Sequence, residues 1–191
     1  SLRDWPTIVR PQATYFPRLL QLQSVADLTI ERIVLQAGYR DATYGANLTI
    51  SACTNIVLRE VTLRNGLIYA GNGGSTWGAG AYIGGSTNIW LVDCTITNNS
   101  LSVNASDAKG AALFLSGSFV TLSNCCIRDN RIVPGGWLVP QGNGIYVSGG
   151  AVLFVRSLIA QNSSTAGSTA DADGGGLYLA AGAHALRNCL I

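Results

Sequence analysis

Residues Thr87 to Asn99 read TNIWLVDCTITNN: an apolar pair, a polar corner, a second apolar pair, then Asn. The phrase recurs as ADLTIERIVLQAG from Ala26, TNIVLREVTLRNG from Thr54, FVTLSNCCIRDN from Phe119, VLFVRSLIAQN from Val152 and HALRNCLI from His184. Aligned, Ile33, Val61, Cys94, Cys125, Ser157 and Cys189 fall in one column, with successive differences of 28, 33, 31, 32 and 32 residues. Leu35, Leu63, Ile96, Ile127, Ile159 and Ile191 form another column two positions on. A second strand keeps the same register: LLQL from Leu19, NLTI from Asn47, GAYI from Gly80, ALFL from Ala112, GIYV from Gly144 and GLYL from Gly176.

Short alternating runs of β-branched and aliphatic residues are strands with one buried face. No window holds a helical apolar stripe, so helical crossovers between parallel strands are not supported. Parallel pairing then needs each coil to return to its own column through turns, as in a solenoid. The reading is an all-β parallel β-helix of about six coils, each 28–33 residues long. Residues 1–191 form a single β-helix segment, with 1–18 irregular or leading into a first rung and 19–191 the repeated coils. Because LRNCLI at 186–191 stops inside the repeat, the segment is expected to be an excerpt of a longer solenoid.

Bulk composition narrows the function classes. Of 191 residues only 12% are charged, 48% are hydrophobic and the formal net charge is +2. There is no basic block to attract nucleic acid or an anionic membrane. The uncharged stretch from Asn65 to Val92 is too rich in Gly, Ser, Thr and Asn to insert into a bilayer.

The closing Asn of CTITNN, CIRDN and LIAQN, followed by a variable segment and then GAGAYI, GNGIYV or GGGLYL, resembles the repeats of polymorphic outer-membrane proteins, a type of autotransporter passenger. The likeness covers about Asn47 to Ile191, although Cys or an aliphatic residue stands where that family favours Phe. More broadly the chain is similar to the pectin-lyase-like superfamily. The resemblance implies an all-β, right-handed parallel β-helix. That superfamily holds polysaccharide lyases, epimerases and non-enzymatic surface proteins, so fold alone does not decide function.

Carbohydrate-cleaving chemistry needs clustered carboxylates. Glu60 and Asp93 share a corner on neighbouring rungs, but the column continues as Asn124, Arg156 and Asn188. These two are the candidate catalytic residues, against the plainer reading of a polar turn. Asp171-Ala172-Asp173-Gly174 opens like a Ca²⁺ loop but lacks the remaining ligands. His184 falls in a core-facing register. Neither a metal site nor a cofactor is expected. Cys94 and Cys125 share an inward column on adjacent rungs, which leaves open a thiol ladder or a disulfide.

Candidate binding residues are the stacked Tyr82, Phe114, Tyr146 and Tyr178, expected to point outward, and the tryptophans Trp77 and Trp137. The two tryptophans lie in the segments Gly66–Ala79 and Arg131–Asn143, which, with Ser100–Lys109 and Ser163–Asp173, read as loops gathered on one side. Sequons at Asn98, Asn104 and Asn162 fall in or at the start of these loops and are the candidate glycosylation sites; Asn47 borders a strand.

The expected function is a non-enzymatic, secreted or cell-surface β-solenoid, a structural or adhesive part of a larger surface or appendage protein. Its partners would be other segments of that protein, a surface assembly, or carbohydrate. The alternatives are a carbohydrate-active enzyme working at a coil corner, and a protein-binding scaffold using the stacked loops.

Overall fold

The computed structural model describes residues 6–9, 18–41, 44–70, 74–103, 107–134, 139–165 and 173–191. Its strands are short and every pairing is parallel and in register. Three sheets carry six strands each. One, the aromatic sheet, runs through Leu20–Gln23, Leu48–Ser51, Ala81–Gly84, Leu113–Ser116, Ile145–Val147 and Leu177–Leu179. These strands define rungs one to six and enclose five full turns, one fewer than the coils counted in the sequence. The long-strand sheet follows on the same rungs, with Ala26–Glu31, Thr54–Arg59, Thr87–Val92, Ser118–Ser123, Gly150–Val155 and Ala183–Arg187. The short-strand sheet comes next, through Val34–Gln36, Thr62–Arg64, Thr95–Thr97, Cys126–Arg128 and Leu158–Ala160, with Thr7–Val9 one rung ahead of the first.

The segments expected as loops are partly regular, which corrects the sequence reading. Tyr39–Asp41, Leu67–Ala70, Ser100–Val103, Arg131–Pro134 and Ser163–Ser164 make a five-stranded flank sheet. Ser75–Trp77 pairs with Asp107–Lys109, and single bridges extend this pair from Tyr44 to Asp173.

Two apolar interiors result. The main core stacks like residues rung on rung, as with Ile56, Ile89, Val120 and Val152, or Leu63, Ile96, Ile127 and Ile159. A smaller core beneath the flank sheet holds Ala46, Ala79, Ala108 and Ala111 with Ile68, Leu101 and Ile132. Small residues let the flank strands lie close to the aromatic sheet.

Each tight corner requires a left-handed residue. The column Arg32, Glu60, Asp93, Asn124, Arg156 and Asn188 has φ of 53, 53, 55, 54, 45 and 53°. A second column, Asn65, Asn98, Asp129 and Gln161, has φ of 54–56°. Asn and Asp tolerate this region better than other side chains bearing a Cβ, which accounts for their frequency at the corners.

Between the short-strand and flank sheets runs a buried asparagine ladder. Asn99 Nδ2 donates to Asn130 Oδ1 at 2.9 Å, and Asn130 Nδ2 donates to Asn162 Oδ1 at 2.9 Å. Each amide also donates to the backbone, at Leu63 O, Ile96 O and Ile127 O. On rung two the column holds Gly66, and Asn47, just ahead of the aromatic-sheet strand, reaches in to take the missing place. A Cβ on Gly66 would stand 2.7 Å from Asn47 Nδ2 and 2.5 Å from Ala79 O, so the substitute amide requires glycine there.

Asn99→Ala removes four hydrogen bonds of a fully buried side chain. It should cost about 2–4 kcal/mol, mostly by stranding the Gly66 N–H and the Asn47 amide. Asn98→Gly, next door but exposed and still left-handed, should change stability by less than about 0.5 kcal/mol. Urea unfolding midpoints of the two variants check the contrast.

Candidate functional site

The acidic corner follows from backbone geometry. Glu60 and Asp93 stand at left-handed positions on neighbouring rungs of the turn column. Glu60 Oε1 lies 3.7 Å from Arg32 Nε, and Asn124 Nδ2 donates to Asp93 Oδ1. Each carboxylate therefore faces a cation or an amide on the next rung. No group of three or more His, Cys, Asp or Glu side chains able to hold a metal exists among the described residues.

The aromatic ladder continues over five rungs, though not as an open strip. Ring centroids of Tyr44 and Tyr82 are 4.3 Å apart, Tyr82 and Phe114 5.7 Å, Phe114 and Tyr146 5.3 Å, and Tyr146 and Tyr178 5.0 Å. The last three pairs are near-parallel, at 6°. The rings point away from the main core, as expected, but Phe114 is only 5% exposed and Tyr146 7%. Trp77 covers Phe114 with a stacked ring at 5.0 Å, and Lys109 Nζ sits 5.1 Å over the Tyr146 ring. Burial pushes the Tyr82 phenol above its ordinary range, and Tyr44 adds to this.

The ladder is outward, as expected, yet covered, because the short Ser75–Trp77 and Asp107–Lys109 pair lies over it. Trp77 itself is half-buried and donates from Nε1 to Asp107 Oδ2 at 3.0 Å. Asp107 also pairs with Lys109 Nζ at 3.0 Å, so the cover is internally braced. Trp137 and Asp171 lie outside the described residues.

The sequons separate cleanly. Asn98 is exposed at a corner, its Nδ2 donating only to the neighbouring Thr97 Oγ1. Asn162, read as the start of a loop, is instead the last member of the ladder, its Nδ2 committed to Ile127 O at 3.0 Å. Asn47 is fully buried in the same network. Asn104 lies outside the described residues.

All five cysteines are free thiols. Cys94, Cys125 and Ser157 form a ladder in which each Sγ or Oγ donates to the carbonyl two residues earlier, at 3.4, 3.5 and 3.0 Å. Cys53, Ser86 and Ser118 repeat the device at another corner. Thiol and hydroxyl are interchangeable here, which is the behaviour of a structural position. Contact with Cys94, together with burial, holds the Cys125 thiol above the ordinary thiol range. His184 is half-buried, with Nε2 2.9 Å from Ala181 O.

Two surface hollows escaped the sequence reading. A trough of about 550 Å³ crosses the outer face of the long-strand sheet, between Phe119, Ala151, Leu153, Ala183, Ala185 and Arg187. Phe119 is 55% exposed and Trp90, beside it, 40%. The available signal was a run of outward alanines on rungs five and six following outward aromatics on rungs three and four. A polar hollow of about 370 Å³ lies at the other corner, between Asn98, Asp129, Arg131, Gln161 and Ser163.

Among known families, the one described as "Right handed beta helix region" matches residues 22–191. No curated protein and no solved structure matches the chain significantly.

The buried thiols should resist chemistry that the unfolded chain permits. Iodoacetamide without reductant should label all five cysteines in denaturant, while Cys94 and Cys125 stay unlabelled in the native protein. Peptide mass mapping reads both states.

Proposed function

The chain belongs to the right-handed β-helix family, and we propose that it acts as a non-enzymatic structural or adhesive rod within a larger protein displayed outside the cell. The observation that carries this reading is the commitment of its polar side chains. Asparagine, serine and thiol ladders link rung to rung, and Glu60 and Asp93 are engaged by Arg32 and Asn124. Such an arrangement stiffens a rod, with its outer surface left for recognition.

Other features support display. Among the described sequons, Asn98 alone presents an exposed amide, so it is the place for a glycan. Few charges and many in-register rungs suit a surface stalk or passenger. Its partners on this reading are neighbouring segments of the same protein, other members of a surface assembly, or carbohydrate.

Activity screens against pectate, alginate and other acidic glycans, with and without Ca²⁺, test the non-enzymatic part. No turnover is expected, and Glu60→Gln and Asp93→Asn should leave glycan binding unchanged. Turnover lost in either variant would overturn it. Protease shaving of intact cells that express the parent protein tests display; a chain protected until the cells are lysed would contradict it.

A further inference from the structure

The long-strand sheet carries on its outer face a ridge beside a hollow. Register places Trp90, Thr121, Leu153 and Ala185 in one outward column on rungs three to six. Phe119, Ala151 and Ala183 form the column on one side, and Val92, Ser123, Val155 and Arg187 the column on the other. The bulky Trp90 and Phe119 thus stand on rungs three and four, and the small Ala151, Ala183 and Ala185 on rungs five and six. Trp90 is held upright by a 2.7 Å bond from Nε1 to Asn88 Oδ1. An exposed apolar ridge and trough of this kind is the mark of an interface.

We propose that this face pairs with a second copy of the chain in a two-fold, antiparallel side-by-side dimer. A two-fold axis parallel to the strands, placed between rungs four and five, puts rung three on rung six of the second copy and rung four on rung five. Columns are preserved by this rotation. Phe119 then meets Ala151 of the second copy, Trp90 meets Ala185, and Thr121 meets Leu153. Large residues oppose small ones at each of these contacts, and the two-fold makes every contact twice.

Charge agrees with shape. Val92 faces the aliphatic stem of Arg187 of the second copy, and Asp93 follows Val92 at the corner, so each Arg187 guanidinium is brought to the other copy's Asp93. The match depends on an axis between rungs four and five; moving the axis half a rung, onto rung four, would put Phe119 on itself.

The area sets the strength. Six residues at roughly 3.3 Å and four rungs at roughly 4.8 Å give about 400 Å² per copy, below a standard interface. The dimer is therefore weak on its own and gains when many rods are held together at a surface. The pairing does not depend on where the rod is displayed.

Sedimentation velocity from micromolar to submillimolar concentration should show a reversible dimer, abolished by Phe119→Asp. Phe119 is exposed, so that variant should keep its thermal midpoint. Trp90→Cys combined with Ala185→Cys gives the decisive arm. On one chain the two positions are three rungs or roughly 14 Å apart, whereas across the two-fold they are opposed at the roughly 10 Å spacing of packed sheets, within reach of a short bis-maleimide but not of a disulfide. A short bis-maleimide should yield a covalent dimer from the double variant and none from either single variant. Asp93→Arg and Arg187→Asp should each weaken association and together restore it. A wild-type monomer at every concentration, a dimer indifferent to Phe119→Asp, or failure of the double variant to cross-link would overturn the proposal.

Discussion

The rest of this rod depends on the buried amide ladder of Asn99, Asn130 and Asn162. A parallel coil must turn sharply several times per rung, and each turn leaves backbone groups inside the fold without a strand partner. The ladder satisfies them by a repeated device: each side-chain oxygen accepts from the rung before it, and each amide nitrogen reaches a carbonyl further back. Mutual polarisation along such a chain favours one register over a slipped one. Rung two shows how strongly the position is required, because Asn47 fills it from the bend before another strand where the column itself offers only Gly66.

Columns of like residues made the main core legible from sequence. Ile56, Ile89, Val120 and Val152 announce themselves because strand alternation and coil spacing act together. The flank sheet was harder to see. Its strands, such as LIYA at Leu67–Ala70 and SLSV at Ser100–Val103, lie in segments of unequal length and share only one short aliphatic column, Ile68, Leu101 and Ile132. Their pairing is specified mainly by position after the ladder asparagine. The same geometry explains why sequons fall on the ladder. A ladder Asn is followed within two residues by strand positions where Ser and Thr are suitable, so Asn47 and Asn162 satisfy the glycosylation pattern while their amides are engaged inside. The corner carboxylates have a backbone reason of the same kind: Glu60 and Asp93 share a column in which the turn needs left-handed residues.

The aromatic ladder marks the limit of reading by periodicity. Alternation put Tyr82, Phe114, Tyr146 and Tyr178 on the outer side of their strands, and they are there. What alternation could not show is a second layer that folds back over them. That layer is held by ring stacking between Trp77 and Phe114, by Lys109 over Tyr146, and by the Asp107 carboxylate bridging Trp77 and Lys109. An outward side chain in a solenoid is therefore exposed only where the next segment does not cover it.

The long-strand sheet is such an uncovered place, and its outer residues are free of the demands that govern the ladders. Inside, a change at one rung disturbs the hydrogen bonds of the next, so the columns stay chemically uniform. Outside, Thr29, Val57, Trp90, Thr121, Leu153 and Ala185 succeed one another with no common chemistry, although their backbones are in perfect register. Uniform columns build the rod. The column that varies, from aromatic to alanine within three rungs, is where a rod of repeated parts acquires a surface distinct enough to recognise its own second copy.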